Sequence, residues 1–293
     1  MILLQSFTEQ NTPKIDVHLS ELIQSIEAPA ILKEAMNYSV AAGGKRVRPL
    51  FTLAVLELLK VNHLEALTVG ATIEMIHTYS LIHDDLPSMD NDDYRRGHLT
   101  NHKVYGEALA ILAGDGLLTY SFGVLARLEK VPAEQKLELI QLLSRAAGAE
   151  GMVGGQVLDI ESERKIVSVD ELQMIHVNKT GALLSFSIEA GAILASADIE
   201  TRKALKEFGY HIGLAFQIQD DILDIEGTSE ALGKTAGKDV VSEKNTYPAL
   251  LTLEGAKNKK EWHYKQAIRS LRMISNEPGL LDELAAYIVK RNK

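Results

Sequence analysis

The chain has 293 residues, 46% of them apolar and 24% charged, the balance of an ordinary soluble globular protein. A formal charge of -9 argues against nucleic-acid binding, which rests on a basic surface, so an anionic substrate would need metal and local basic residues. The absence of cysteine excludes a disulfide framework, a thiolate metal site and a cysteine nucleophile, and is compatible with a reducing, cytoplasmic setting.

The first residues, Met1 to Glu9, lack the basic and long apolar regions of a signal peptide, so no export is expected. Residues 15 to 38 read as one or two short helices, with Leu19, Leu22, Ile23, Ile26, Leu32 and Met36 at helical spacing. A loop over 41 to 49 then carries Gly43-Gly44-Lys45-Arg46-Val47-Arg48-Pro49. Two glycines allow a tight backbone, and three cations within four residues suit a phosphate; a basic surface turn after a helix end is the plainer reading. Pro49 suits the first turn of the next helix.

Helices are expected over 50 to 60 and 65 to 85. Leu67 to Ile82 is mostly apolar, and Pro87 stops the helix, so Asp84 and Asp85 fall at the rim of a core. Asp90, Asp92 and Asp93 follow, then Tyr94 and the pair Arg95-Arg96. Clustered carboxylates at such a rim suit a hard divalent cation such as Mg²⁺; a solvated acidic loop is the alternative. Glu74 and His77 form a Glu-x-x-His pair, half of a di-iron site whose second half is missing, so His77 reads as a core or rim histidine about 10 Å below Asp84.

Helices over 104 to 128, 134 to 152 and 168 to 196 come next. Two polar insertions interrupt the regular pattern. Gly154-Gly155-Gln156-Val157-Leu158-Asp159 puts an amide and a carboxylate on one helical face after glycines that admit a second helix, and Lys179-Thr180-Gly181 puts a cation in an apolar run. A packing notch and a snorkelling lysine are the plain readings. The apolar stretch from Gly181 to Ala197 is too short and too interrupted to span a membrane. Next, Gln217-Ile218-Gln219-Asp220-Asp221-Ile222-Leu223-Asp224 sets Asp220 and Asp224 one turn apart on a largely buried helix, a repulsive arrangement that a metal cluster would relieve. A lysine- and glycine-bearing loop over 227 to 244, with Lys234 and Lys244, is long enough to be a lid, and 247 to 293 returns to helix. Strand signals are weak throughout, and one all-α domain over 1 to 293 is the simplest organisation.

Taken in order, Gly-Gly-Lys-Arg-x-Arg-Pro, Asp-Asp-x4-Asp with Arg-Arg-Gly, Gly-Gly-Gln-x2-Asp, Lys-Thr, Gln-x2-Asp-Asp-x2-Asp and Gly-Lys resemble the class I isoprenoid diphosphate synthases, the trans-prenyltransferases, and most closely their bacterial farnesyl diphosphate-forming members. The resemblance covers nearly the whole chain. It implies an all-α isoprenoid-synthase bundle around a deep central cavity, homodimeric, with no membrane span. It implies that Asp84, Asp85, Asp90, Asp220, Asp221 and Asp224 bind three Mg²⁺, or Mn²⁺ in their place, bridging an allylic diphosphate. Arg95, Lys179, Lys234, Lys244 and Gln156 would hold that diphosphate, and Lys45, Arg48, His77 and Arg96 would hold isopentenyl diphosphate. Lys179, Thr180 and Gln217 would steady the allylic carbocation. Tyr79, about 7.5 Å below Asp84 on its helix, would close the tunnel and stop the product at fifteen carbons; its neighbour Ser80 is small, so that stop rests largely on Tyr79. A twenty-carbon synthase and a non-catalytic subunit of a heteromeric synthase are the alternatives within the family. A terpene cyclase is disfavoured because its second motif resembles Asn-x3-Ser-x3-Glu, and it has no use for the Lys45, Arg48 and His77 set.

Overall fold

The computed structural model describes residues 2–163, 165–226, 245–277 and 279–291. Its elements are α1 (Ile2–Gln24), α2 (Ala30–Ala41), α3 (Val47–Leu58), α4 (Ala66–Asp84), the strands β1 (Tyr94–Arg95) and β2 (His98–Leu99), α5 (Asn101–Tyr105), α6 (Glu107–Ala126), α7 (Ala133–Ala147), α8 (Met152–Ser162), α9 (Val169–His176), a π turn (Val177–Gly181), α10 (Ala182–Leu194), α11 (Ile199–Glu226), α12 (Tyr247–Arg272) and α13 (Leu280–Lys290). The all-α expectation holds.

Several boundaries differ from the sequence reading. The first helix begins at Ile2 and carries Pro13 inside it. The run over 104 to 128 breaks at Gly106, 134 to 152 breaks at Gly148, and 168 to 196 is divided by the π turn, because apolar periodicity continues across breaks that only the backbone reveals. The two short strands form a hairpin whose loop residues, Arg96 and Gly97, both have positive φ (54° and 80°), the requirement of a type I′ turn. Two residues per strand leave too little alternation to read in advance.

α4 is apolar on every side and buried through most of its length, so it lies inside the bundle, packed by α1, α3, α6 and α10. Phe51 of α3 and Phe208 of α11 meet edge to face at 6.0 Å in the same core. α13 is amphipathic: Leu281, Leu284, Ala285 and Ile288 are buried, the leucines and isoleucine contributing about 1.5–3 kcal/mol each, and the docked helix delivers Arg291 to the interior. α6 is, among the described residues, the one helix long and apolar enough to cross a membrane by length and composition, with a mean hydropathy of 1.6. Its Ala110, Ala113, Leu117 and Val124 are buried, and it packs on α4 as a helix of a globular core does.

Away from the cavity, His211 of α11 and His263 of α12 face each other with Nδ1 atoms 2.9 Å apart. Burial first, then His211 and Lys259, push His263 down to about 3. The unfolded chain therefore binds a proton that the native chain refuses, and stability falls as pH drops through about 6.5 and goes on falling towards 3. Near pH 5 the loss is about 2 kcal/mol. His263→Gln is expected to flatten the fall in Tm between about pH 7 and 5; a slope equal to that of the unsubstituted protein would rule the pair out as its source.

Candidate active site

The loop after α2 owes its shape to its glycines. Gly43 and Gly44 have φ of 80° and 145°, and a Cβ on Gly44 would lie 2.9 Å from the Arg96 guanidinium, which donates to the Gly43 carbonyl. Arg96 therefore lies directly on the glycine pair. It is held there by the hairpin, whose base is tied by Thr100 Oγ1 donating to the Asp92 carbonyl (2.8 Å), and to α2 by Tyr38 Oη donating to the Leu99 carbonyl (2.8 Å) and Asn101 Nδ2 to the Ala35 carbonyl (2.8 Å). The left-handed turn at Arg96 sends the consecutive arginines to different places. Arg95 Nε donates to both oxygens of Asp85 (2.8 and 2.9 Å), with Nη2 adding 2.6 Å, while Arg96 joins the loop.

A cavity of ≈ 430 Å³ opens here, bordered by Lys45, Arg48, His77, Arg96, Phe216 and Arg291, together with Arg46 and Glu74. All four residues expected to hold isopentenyl diphosphate thus border one space. Arg48 Nε is buried without a hydrogen-bond partner, a donor waiting for an acceptor. Burial lowers its pKa, with Glu74 and Asp220 pulling the other way. His77 is held well below its ordinary 6.5 by burial and then by Arg48 and Arg96, so the imidazole is neutral at pH 7. Glu74, the other half of the Glu-x-x-His pair, is bonded to Arg46 (3.0 Å), which removes it from any di-iron reading.

Asp84 and Asp85 end α4 as expected, and the Asp90 amide donates to the Asp84 carbonyl at 2.8 Å. Burial, with Asp90 and Asp85 adding to it and Lys179 and Arg95 opposing, pushes Asp84 up to about 6. Asp85 is also raised by burial despite its bonds to Arg95. On α11, Asp220 pairs with Arg291, whose guanidinium lies 4.0 Å from the centre of the Phe216 ring. Asp221 faces elsewhere: its Oδ2 accepts from the Tyr247 amide (2.9 Å) and lies 3.3 Å from His176 Nε2. Asp224 is buried on the same helix, and Gln217 lies one turn before Asp220. Among the described residues no three carboxylate or imidazole groups converge into a ready metal site. The chemistry of the donor set still fits a hard cation, because its groups are carboxylates at a partly buried rim and Asp84, raised by burial first, is raised further by Asp90 and Asp85.

Gly155 explains the Gly-Gly-Gln motif: a Cβ there would stand 2.2 Å from the Lys179 backbone nitrogen, so α8 and the π turn touch. Across that contact Lys179 Nζ meets Asp159 Oδ2 at 2.6 Å, with Gln156 one turn earlier on α8. Lys179 and Thr180 both lie in the π turn, an irregularity often found at functional sites because it displaces carbonyls from the regular ladder. Tyr79 is buried and meets His83 edge to face at 5.7 Å, while the Ser80 hydroxyl is spent on the His77 carbonyl (2.9 Å). Lys234, Lys244 and the expected lid lie outside the described residues. Arg291 is the site residue that sequence reasoning missed; a lone cation near the chain end carries no motif, and only the amphipathic helix before it hints that the end is docked.

An all-α bundle with a cationic cavity beside two aspartate motifs defines a protein of the isoprenoid-synthase class. The comparisons agree. A family model described as polyprenyl synthetase matches residues 29–278, and the chain belongs to that family of prenyltransferases. It is 50% identical over 291 residues to a farnesyl diphosphate synthase of Geobacillus stearothermophilus, covering 99% of this chain and 98% of that one, and 50% identical to that of Bacillus subtilis with the same coverage. The fold matches an FPP/GFPP synthase from Zymomonas mobilis with a TM-score of 0.87 and 39% identity, over 98% of this chain and 99% of that chain. Membership of the family carries a divalent-metal requirement.

Proposed function

We propose that the chain condenses isopentenyl diphosphate head to tail (1′-4) with dimethylallyl and then geranyl diphosphate, releasing diphosphate and ending at (2E,6E)-farnesyl diphosphate. The observation that carries this reading is the cavity bordered by Lys45, Arg48, His77 and Arg96, separate from the carboxylates at the end of α4. It supplies an anion site made of cations and a neutral imidazole beside a second site that calls for metal. That pairing suits two diphosphates of different roles.

Asp84, Asp90, Asp220 and Asp224 would hold divalent cations, three Mg²⁺ in the family's manner, with Asp85 and Asp221 in the same motifs. When bound, such cations stabilise the charge on the leaving diphosphate. The remaining work falls to the chain. Arg95, Lys179 and Gln156 would hold that diphosphate, with Lys234 and Lys244 in the family's manner, and Lys45, Arg48, Arg96 and His77 would fix the second substrate. Carbonyls of Lys179 and Thr180, the Thr180 hydroxyl and the Gln217 side chain offer weak dipoles to the allylic cation while the apolar wall excludes water. No protein nucleophile is required.

The whole chain acts as one domain in this reading, in the cytoplasm and as a homodimer. Support for the dimer comes from α6, where Ala108, Ile111, Leu112 and Thr119 are exposed on one face around a single charge, Asp115, with Ile111 and Leu112 exposed by 43% and 55%. The product limit rests on Tyr79. Its ring is buried one turn before His83, and burial with the charge of Asp84 pushes its hydroxyl up to about 12, so it remains a neutral, bulky stop. Tyr79→Ala is expected to extend the main product from fifteen to twenty carbons or more by chromatography of the dephosphorylated products. Unaltered fifteen-carbon output would remove the ring from that role.

A further inference from the structure

We infer that Arg46, the middle cation of the glycine-rich loop, is a positioning residue that holds Glu74 away from Arg48 and Arg96 and so keeps the cavity cationic. This rests on the reading of that cavity as the isopentenyl diphosphate site. Sequence alone counts Arg46 with Lys45 and Arg48 as a third phosphate ligand. The structure turns it inward. Its side chain is 1% exposed, Nε donates to Asp16 Oδ1 on α1 (2.7 Å), Nη1 to Glu74 Oε2 on α4 (3.0 Å) and Nη2 to the Val40 carbonyl of α2 (2.7 Å). Three of its five N–H donors, one on each guanidinium nitrogen, are thereby bound within the fold.

The backbone agrees with this assignment. Arg46 has φ 48° at the start of α3, a left-handed conformation that an arginine rarely adopts, and the three bonds to three helices hold it there. Arg46 borders the cavity beside Lys45 and Arg48, but its bonds run to Asp16, Glu74 and the Val40 carbonyl. Glu74 is the carboxylate that Arg46 restrains. It lies one turn before His77 on α4, is itself buried, and its charge acts on both Arg48 and Arg96. A carboxylate so placed and not bound by Arg46 would pair with the cavity arginines and compete with any diphosphate. Arg46 thus acts on substrate affinity through Glu74 without touching substrate.

The test is steady-state kinetics of Arg46→Met, Arg46→Met/Glu74→Gln and Arg48→Gln, varying isopentenyl and geranyl diphosphate separately. Arg46→Met is expected to raise KM for isopentenyl diphosphate by about tenfold or more, with kcat and KM for geranyl diphosphate within about twofold. Adding Glu74→Gln, which removes the competing carboxylate, is expected to return that KM to within about threefold of the unsubstituted protein. A double variant with KM still raised by tenfold would overturn the inference, because the defect would then lie in lost architecture. The double variant decides the matter alone if the single one fails to fold, since it leaves no unpaired buried charge. An Arg46→Met KM that does not move while Arg48→Gln raises it overturns the inference by itself; an unmoved KM in Arg48→Gln overturns the cavity reading and this inference together.

Discussion

Asp84→Asn is expected to lower turnover by about 10³-fold or more and, in the same protein, to raise the Tm measured without metal by a few degrees. The two effects have one cause. Asp84 is a carboxylate at the end of an apolar helix, partly buried and crowded by Asp90 and Asp85, and its pKa is pushed from 3.8 up to about 6. A carboxyl whose folded pKa is raised costs the native state stability at every pH above that value, because the unfolded chain ionises it freely. Asparagine removes the charge at nearly constant shape, so the metal-free fold is relieved. On the proposed reading the same change removes an oxygen ligand from the place where leaving-group charge must be stabilised, so catalysis suffers. Turnover lost together with a lowered Tm would mean that Asp84 supports the fold, and turnover retained would remove it from the site.

Arg48→Gln is expected to raise KM for isopentenyl diphosphate by about 30- to 100-fold while leaving KM for the allylic substrate within about twofold. Arg48 Nε is buried with no acceptor, and the residue borders the cavity with Lys45, His77 and Arg96. Arg95 engages Asp85 at the end of α4 instead. The consecutive arginines of the hairpin thus point to different places, and on the proposed reading they serve two anion sites, so a substitution in one should leave the other intact. Separate titration of the two substrates checks this. A shift of equal size in both KM values would merge the two sites into one.

Much of this site is legible in the sequence because its parts are local. An apolar run stopped by Pro87 places Asp84 and Asp85, and paired glycines before α3 and in α8 mark close approaches that the structure shows at Gly44 and Gly155. What escapes the sequence depends on direction. Asp221 looks equivalent to Asp220, yet it turns to the Tyr247 amide and His176, because adjacent helical positions point 100° apart. Arg46 looks equivalent to Arg48, yet a left-handed backbone turns it inward. Arg291 lies 71 residues from its partner Asp220 and becomes a site residue only through the docking of α13. The π turn around Lys179 leaves the apolar periodicity of its flanking helices intact, so nothing in the pattern announces it.

Incubating the purified protein with Mg²⁺, isopentenyl diphosphate and, in separate reactions, dimethylallyl, geranyl and farnesyl diphosphates, followed by product analysis, decides whether the chain makes a fifteen-carbon diphosphate. Accumulation of the fifteen-carbon diphosphate from the first two primers, with farnesyl diphosphate left unextended, is the predicted result. Absence of condensation with every primer would contradict it, and extension of farnesyl diphosphate to twenty carbons would contradict the Tyr79 stop while leaving the condensation itself in place.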